Sequence, residues 1–379
     1  MKPKIINVIS GKGGTGKTLL TAVLADSLGK AGSNILVIDL DIFVRGLTTM
    51  YYYQNDQCDT LVTEDELSVS DIFLERDVSS SKKMSIKMYN NRSFQIVPAV
   101  KEISQTYQFH DIMPNTISEA LDIIGCILDK VQRQDTTLDY IFLDSRAGYD
   151  EVVAAAYLLS TYSVCVDEED NISLVTADNL VDQFKNLNND KIKNILKEKG
   201  ISTELDRRRV YRLRNKTRDY DTSISMGVNF LGFIPFDVDV MRNFGSKQFW
   251  NEITKTLYME GTCKVWNSLA KKQNLSPILN YSHPSSVGSK EIEKRLSSLP
   301  TLSRMGYLYG FFLLVLGALL IFTQSGLWEA IFKGDPYIII GLLVSLLGIF
   351  LLVTSVVNLT GLKKPKSKAK DNSSTKNRT

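Results

Sequence analysis

Short apolar runs alternate with longer amphipathic stretches over residues 1–282 of the 379-residue chain. The apolar runs have the length of buried strands, and the amphipathic stretches have the length and period of helices. Strands are predicted at Lys4–Ser10, Asn34–Leu40, Phe94–Pro98, Tyr140–Asp144, Ser163–Val166, Val210–Arg214 and Phe230–Ile234, and helices at Thr18–Lys30, Ile117–Gln132 and Val181–Lys199. This order predicts an α/β domain with a doubly wound, mostly parallel sheet, in which ligands lie at the carboxyl ends of the strands.

Two long uncharged runs follow this domain, at residues 305–328 and 336–362. Each is longer than the ~20 residues that a helix needs to cross the ~30 Å core of a bilayer. We therefore expect a transmembrane hairpin over residues 305–358, with helices at about 305–325 and 336–357. Residues 283–304 are expected to form a linker, and residues 359–379 a disordered basic tail. A buried hairpin of a soluble protein is the disfavoured alternative, because ordinary core helices are shorter.

Basic residues flank the two uncharged runs. Four precede the first run within residues 290–304, and five lysines follow the second within residues 363–370, whereas the connecting segment carries only Lys333. The positive-inside rule then places both termini in the cytoplasm. We expect a two-span protein of the cell membrane, from a prokaryote.

The net charge of +3 is unevenly distributed. Residues 363–379 carry seven basic residues and one acidic residue, so the rest of the chain is mildly acidic. This asymmetry indicates a local interaction of the tail and not a domain that coats nucleic acid. The four cysteines are far apart and form no CxxC pair, which is typical of a reducing compartment. The two histidines are distant from each other and from the cysteines, so no zinc site is expected.

Glycines are concentrated between the first predicted strand and the first predicted helix. Residues 11–18 fit the pattern G-x-x-x-x-G-K-[ST] of a phosphate-binding loop. The pattern is short enough to occur by chance, but its position between a strand and a helix favours nucleotide binding. The expected phosphate and Mg²⁺ contacts come from Gly11, Gly13, Gly14, Thr15, Gly16, Lys17 and Thr18. Lys17 is expected to reach the β- and γ-phosphates, and the Thr18 hydroxyl to hold Mg²⁺.

Lys12 is not needed to bind one nucleotide. With it, the loop resembles the deviant Walker A P-loop of the MinD/ParA group of ATPases, which reads K-G-G-x-G-K-T. The resemblance implies that Lys12 reaches across an ATP-dependent homodimer to the nucleotide of the partner subunit, as a catalytic residue. A solvated loop lysine is the alternative.

Further segments resemble this family in the same order. Residues 36–41 are similar to its second strand, which ends in D-x-D; the resemblance implies that Asp39 helps to order Mg²⁺ and that Asp41 orients the attacking water. Residues 140–148 are similar to its strand ending in D-x-x-x-G. By the same resemblance, Asp144 contacts Mg²⁺ through water and Gly148 senses the γ-phosphate.

The end of the domain resembles the base-binding part of the family. Asn215 is similar to its adenine-reading asparagine, and Pro235 lies in a run similar to its G-x-I-P strand end. The resemblance spans about residues 1–251 and implies a P-loop NTPase fold of the MinD-like type, with ATP and Mg²⁺ as cofactors.

The chain departs from the family pattern at two places. Arg146 stands where the family often has proline, and we leave open whether it senses phosphate or forms a structural salt bridge. Residues 167–170 read Asp-Glu-Glu-Asp where the family often has Thr-Pro. This strand end either serves a partner or, as we favour, is a solvated acidic loop.

Two clusters admit other functions. Basic residues within 207–218 could bind DNA phosphates, although an exposed sheet edge or a lipid-facing surface explains them equally well and nucleic acid is the disfavoured partner. Tyr51–Tyr53 is similar to the tyrosine clusters of bacterial tyrosine kinases, which share this nucleotide fold, but packing aromatics are the favoured interpretation.

Together these features predict a membrane-tethered, Mg²⁺-dependent ATP hydrolase that converts ATP and water to ADP and phosphate. It is expected to act as a dimerisation switch that positions or recruits an unknown protein partner at the cytoplasmic face of the membrane. The alternatives are a tyrosine autokinase, a nucleotide-binding scaffold without significant turnover, and a carrier of the ArsA type, against which the permanent hairpin argues.

Overall fold

A computed structural model of the chain describes residues 2–54, 62–75, 81–89, 92–204, 210–218, 229–244, 246, 249–254 and 256–278. The predicted linker, transmembrane hairpin and basic tail lie outside these residues. Within the described ranges, no helix has both the length and the apolar character needed to cross a bilayer.

Helices and strands alternate along most of the described chain. The strands are β1 (Lys4–Ile9), β2 (Ile35–Asp39), β3 (Glu66–Leu67), β4 (Lys83–Met84), β5 (Lys87–Met88), β6 (Gln95–Val97), β7 (Tyr140–Asp144), β8 (Tyr162–Asp167), β9 (Val210–Thr217) and β10 (Phe230–Pro235). The helices are α1 (Lys17–Lys30), α2 (Gly46–Gln54), α3 (Val69–Glu75), α4 (Phe109–Ile112), α5 (Ile117–Gln134), α6 (Glu151–Leu159), α7 (Asn171–Asn186), α8 (Asp190–Glu198), α9 (Val238–Asn243), α10 (Phe249–Ile253) and α11 (Leu257–Gln273).

Eight of the described strands form one sheet in the order β10-β9-β8-β1-β7-β2-β6-β5. Every neighbouring pair is parallel except β5 with β6, which is antiparallel. β3 and β4 form a separate two-stranded parallel pair. The predicted doubly wound, mostly parallel sheet is therefore confirmed.

The sheet is covered on both faces, as its mostly apolar, buried central strands require. Side chains of α1 and α11 pack on one face, where Ile6 and Val8 of β1 point. Side chains of α5, α6, α7 and α8 pack on the other face, together with Ile9. Because successive strand residues point to opposite faces, the short run of β1 contributes to both cores.

The helix predicted at Val181–Lys199 is wrong in its bounds. The structure has two helices there, α7 and α8, separated by residues 187–189. Asn189 begins the second helix, since its Oδ1 accepts a hydrogen bond of 3.0 Å from the Ile192 amide. Asparagine is a preferred residue at this position, so the run Asn188-Asn189-Asp190 carried the signal for a new helix start.

The order in which the chain adds strands reverses at β1, because β2 and β6 lie on one side of it and β8, β9 and β10 on the other. In open α/β sheets ligands bind at such a reversal, beyond the carboxyl ends of the strands. The ends of β1, β2, β7 and β8 all reach this edge, and each of them is followed by polar residues singled out in the sequence.

Candidate functional site

The phosphate-binding loop connects β1 to α1 and has the backbone geometry that its glycines allow. Gly14 and Gly16 have φ angles of 81° and 89°, in the left-handed region that favours glycine. Lys17 is the first residue of α1 and is buried; its Nζ donates a hydrogen bond of 2.9 Å to Ser10 Oγ. Burial lowers the pKa of Lys17, and the negative charges of Asp144 and Asp41 oppose that shift.

Gly11 permits close packing between the loop and α7. A Cβ at Gly11 would lie 2.3 Å from the carbonyl carbon of Thr176, which is backbone of α7. A Cβ at Gly13 would meet nothing within 4 Å. Gly11 is thus required by packing, whereas Gly13 is consistent with a backbone surface that a phosphate can approach.

Asp39 and Asp144 end the adjacent strands β2 and β7 and are direct register partners. Both carboxyl groups are buried. Burial, together with the charge of Asp144, raises the pKa of Asp39 well above its usual value, against the opposing hydrogen bonds from Thr48. Burial raises the pKa of Asp144 to about 6, against the charge of Lys17 and the nearby Thr18 hydroxyl.

These residues fit a magnesium ion. Within the described ranges, neither Asp144 carboxylate oxygen meets a donor in full hydrogen-bond geometry, although both are buried. Asp39, by contrast, is fixed: its Oδ2 accepts hydrogen bonds from the Thr48 amide at 2.9 Å and hydroxyl at 2.7 Å. An orphaned carboxylate beside a second carboxylate and the Thr18 hydroxyl is an oxygen-donor set of the kind that Mg²⁺ takes through its water shell.

Asp41 and Gly148 lie on two turns that follow β2 and β7. Asp41 is half-buried, and its Oδ1 accepts a hydrogen bond of 3.1 Å from the Val44 amide. Gly148 has φ of 85°, and its amide donates a hydrogen bond of 2.9 Å to the Ser10 carbonyl. The Asp41 carboxylate is thus held in place, and the Gly148 amide is committed to the start of the phosphate-binding loop in this conformation.

Lys12 forms two ion pairs within its own chain. Its Nζ lies 2.7 Å from Asp170 Oδ2 and 3.2 Å from Glu168 Oε2. The hydrogen bond to Asp170 raises the pKa of Lys12. Glu168 also forms an ion pair with Lys216, at 2.7 Å between Oε1 and Nζ, so one carboxylate joins the loop to the end of β9. Lys12 is thus a surface loop lysine that is paired within its own chain, and its contact with a partner subunit stays a prediction.

Comparison with known proteins identifies the family. A model of the CobQ/CobB/MinD/ParA nucleotide binding domain matches residues 6–248, more than half of the chain. The chain belongs to this family. It therefore carries an ATP-binding P-loop domain of the MinD/ParA type.

Individual relatives of this MinD/ParA-family domain are distant. The septum site-determining protein MinD of Buchnera aphidicola subsp. Acyrthosiphon pisum is 27% identical over 243 residues, which cover 63% of this chain and 80% of the relative. MinD of Escherichia coli K12 is 25% identical over 241 residues, with the same two coverages of 63% and 80%. A putative plasmid partition protein of Borrelia burgdorferi B31, solved with AMPPNP, is 18% identical with a TM-score of 0.50, covering 72% of this chain and 100% of that one. That structural likeness shows the shared fold.

The predicted base-binding residues of this MinD/ParA-family domain lie at the ends of β9 and β10. Asn215 is buried, and its Nδ2 donates a hydrogen bond of 2.7 Å to the Thr15 carbonyl in the phosphate-binding loop. Pro235 ends β10 and packs on α11, since a Cβ at Gly261 would lie 2.7 Å from its Cδ. Asn215 thus joins the two halves of the site, and adenine recognition by either residue stays a prediction.

The expectation that the acidic segment after Val166 is a solvated loop is wrong for Asp167 and Glu168, whereas Glu169 and Asp170 are exposed. Asp167 is buried at the end of β8 and accepts hydrogen bonds from Arg212 Nη2 at 2.7 Å and Arg214 Nε at 3.0 Å. Asp170 begins α7 by accepting a hydrogen bond of 2.9 Å from the Ser173 amide. The acidic run therefore holds together β8, β9 and α7.

These contacts also test the interpretation of the basic residues within 207–218. Arg207–Arg209 lie outside the described residues, but β9 lies inside the sheet, between β8 and β10. The exposed-edge interpretation is therefore wrong for Arg212 and Arg214. Their guanidinium groups are paired internally with Asp167, which leaves them less available to DNA phosphates or lipid headgroups.

The tyrosine cluster lies in α2, where Tyr51 and Tyr52 are partly buried and Tyr53 is exposed. Tyr51 contacts Tyr89 edge to face, with ring centroids 5.3 Å apart, and Tyr52 contacts Tyr53 at 5.1 Å. These contacts support the interpretation as packing aromatics.

Arg146 pairs with Asp150 at 3.1 Å, which confirms the structural salt bridge as one of its two proposed roles.

Sequence reasoning missed two residues that organise the site. Ser10 Oγ accepts from Lys17 and donates to the Lys12 carbonyl at 2.6 Å, so it fixes the loop from inside. Thr48 holds Asp39 and accepts a hydrogen bond of 2.8 Å from the Ala99 amide. The available signal was a small hydroxyl residue directly after a buried strand or in the first turn of a helix, which is common for other reasons too.

Proposed function

We propose that this protein is a Mg²⁺-dependent ATP hydrolase whose nucleotide state controls dimerisation at the cytoplasmic face of a membrane. The observation that carries the proposal is the meeting of the phosphate-binding loop with Asp39, Asp41 and Asp144 at one edge of the sheet. Family membership supports ATP as the nucleotide. The Borrelia burgdorferi partition protein, described as bound to the ATP analogue AMPPNP, supports the same ligand class.

Each site residue has a distinct role in this proposal. The backbone amides of residues 11–16 and the Lys17 ammonium bind the phosphates, with the positive end of α1 adding to the field. Thr18 and Asp144 would hold Mg²⁺, and the ion would supply positive charge to neutralise the phosphates. Asp41 orients the water that attacks the γ-phosphate in line, since its carboxylate is fixed by the Val44 amide but remains partly exposed.

Dimerisation rests on Lys12. Its ammonium is bound to Glu168 and Asp170 of the same chain, so reaching a partner's nucleotide requires exchange of two carboxylates for phosphate oxygens. Carboxylate and phosphate oxygens both form strong charge-assisted hydrogen bonds with an ammonium group. The Lys12 ammonium is therefore paired before the exchange and after it. ATP thereby provides the differential contact that a two-state switch needs.

The hydrolase proposal is tested with full-length protein purified in mild detergent. Phosphate release is measured for the wild type and for Lys17→Ala and Asp41→Ala, at saturating ATP with Mg²⁺. We expect turnover in the wild type and background rates in both variants. Equal background release in all three proteins would refute hydrolysis and favour a nucleotide-binding scaffold, while phosphotyrosine appearing on the wild type would favour the autokinase.

The switch is tested by light scattering after size exclusion. Asp41→Ala with ATP and Mg²⁺ is expected to elute as a dimer, and with ADP as a monomer. Lys12→Ala in the same background is expected to stay monomeric with either nucleotide. A dimer that is insensitive to both nucleotide and Lys12 would contradict the shared-site arrangement. The same ATP-locked Asp41→Ala protein is the bait with which to capture the unknown partner.

The membrane tether rests on the uncharged runs at 305–328 and 336–362. We propose that they form a hairpin with both ends in the cytoplasm, and that the tether is permanent. In membranes washed with alkaline carbonate, the full-length chain is expected to stay in the pellet. A reporter that is active only outside the cytoplasm should be inactive when fused at residue 379 and active when fused at residue 332. Release of the chain by carbonate, or the opposite reporter pattern, would count against the hairpin.

A further inference from the structure

Arg146 lies in the turn after β7 and contacts two aromatic rings from distant parts of the chain. Its guanidinium carbon is 5.4 Å from the centre of the Phe43 ring and 5.1 Å from that of Phe109. The two rings are stacked on each other, with centroids 5.3 Å apart and planes at 25°. The Arg146 Nη1 lies 3.1 Å from Asp150 Oδ2. The Asp150 side chain also begins α6, because it accepts a hydrogen bond from the Val153 amide. The guanidinium is thus held by ring faces and by a carboxylate.

These contacts join the two turns that carry groups of the nucleotide site. Phe43 comes two residues after Asp41, and the intervening turn is closed by the hydrogen bond from the Val44 amide to the Asp41 carboxylate. Arg146 comes two residues before Gly148, whose amide is bonded to Ser10 in the phosphate-binding loop. Arg146 therefore connects, through its contact with Phe43, the turn that carries the Asp41 carboxylate and the turn that carries the Gly148 amide.

We propose that Arg146 is a positioning residue, which holds the Asp41 turn against the Gly148 turn through Phe43 so that the two move together. This inference rests on the proposed hydrolysis of ATP. A planar, delocalised guanidinium can lie against aromatic rings while one of its nitrogens pairs with a carboxylate, whereas a lysine ammonium cannot keep that geometry. A direct contact of Arg146 with the transferring phosphate would require it to leave Phe43, Phe109 and Asp150.

The link is tested first without any need for turnover. Hydrogen–deuterium exchange is measured on the full-length wild type, on Arg146→Lys and on Phe43→Leu. Arg133→Lys serves as the matched control, because Arg133 is an exposed arginine paired with Asp129 on α5. We expect faster exchange in peptides covering residues 41–46 and 145–150 in both variants, and wild-type exchange in the control. Unchanged exchange over residues 41–46 in Arg146→Lys would overturn the proposal.

Steady-state kinetics then separate positioning from a charge effect. Arg146→Lys and Phe43→Leu are each expected to lower kcat about tenfold with a KM for ATP within about twofold, as loss of a partly desolvated cation–π contact predicts. The double variant should be no slower than either single variant, because both break one link. Phe43→Tyr, which keeps the ring, should restore kcat.

The opposite kinetic pattern identifies a different role. If Arg146→Lys is impaired while Phe43→Leu keeps the wild-type kcat, Arg146 acts on the phosphate directly and the positioning role is refuted. If both variants lower only thermal stability and leave kcat unchanged, the link is structural and the proposal again fails. Should the wild type release phosphate no faster than Lys17→Ala, the proposed hydrolysis fails, and the exchange comparison still decides the role of Arg146.

Discussion

Replacing Asp167 with asparagine tests the ion-pair network behind the nucleotide site. Asp167 is 1% exposed and accepts three charge-assisted hydrogen bonds, two from Arg212 and one from Arg214. The asparagine side chain would keep the shape of the aspartate but leave two guanidinium groups beside a neutral amide. Breaking a buried ion pair by removing one partner costs about 3–5 kcal/mol. Since Arg212 also pairs with Asp178 and is partly exposed, we expect a loss near the lower end, about 3 kcal/mol.

The assay is urea unfolding of the full-length protein, followed by the fluorescence of Trp250 and Trp266, which are both buried in the sheet domain. The matched control is Asp182→Asn, because Asp182 pairs with Lys185 on the surface of α7 and is 65% exposed. An exposed pair contributes about 0–1 kcal/mol, so the control should unfold almost as the wild type does. A loss below about 1 kcal/mol for Asp167→Asn, or equal losses in both variants, would refute the reasoning.

Three further predictions concern the site itself. Gly11→Ala should greatly weaken nucleotide binding and lower the melting temperature, because the added Cβ would lie 2.3 Å from the backbone of α7. Gly13→Ala should leave the melting temperature unchanged, because its added Cβ would meet nothing within 4 Å. Calorimetry with an ATP analogue checks both variants. Glu168→Gln should raise the fraction of ATP-dependent dimer in light scattering, because it weakens one of the two contacts that hold Lys12 in its own chain; a lower fraction would show that the contact assists dimerisation. Mg²⁺-dependent binding of the analogue should strengthen from about pH 5 to about pH 7, because the Asp144 pKa of about 6 lies above its usual value and the ion needs the deprotonated form. Because the pKa of Asp144 is higher in the folded protein than its usual value, the contribution of Asp144 to folding stability falls as the pH rises from that usual value to about 6. Asp144→Asn should therefore flatten the pH dependence of analogue binding and that of stability.

The parts of the site that could be predicted are those encoded locally. A glycine-rich run between an apolar strand and an amphipathic helix fixes its own conformation through φ angles that only glycine adopts easily. Asp39 and Asp144 were found for a similar reason, because each directly follows four apolar residues of a buried strand. The meeting of the loop with these two aspartates follows from the predicted sheet, because parallel strands bring their carboxyl ends to one edge.

The parts that could not be predicted depend on partners distant in the sequence. Asp167 was expected in a solvated loop, and the arginines of β9 at an exposed edge or on a lipid- or DNA-facing surface, because nothing local shows that β8 and β9 are neighbours. Lys12 likewise finds Glu168 and Asp170 far along the chain, as the 158-residue separation from Asp170 shows. Charges at complementary positions in a sheet can be recognised only after the strand order is known.

The contact between Gly11 and Thr176 has a consequence for how a partner would be sensed. The outward side of the first turns of α7 carries Ile172 and Val175, which are exposed, while its inner backbone touches the phosphate-binding loop. No side chain stands between helix and loop at that point, so no rotamer change can absorb a displacement of the helix. A partner that contacted the exposed Ile172 and Val175 and displaced α7 toward the loop would therefore press directly on the Gly11 backbone. The position of this helix and the conformation of the phosphate-binding loop are coupled through that one close approach.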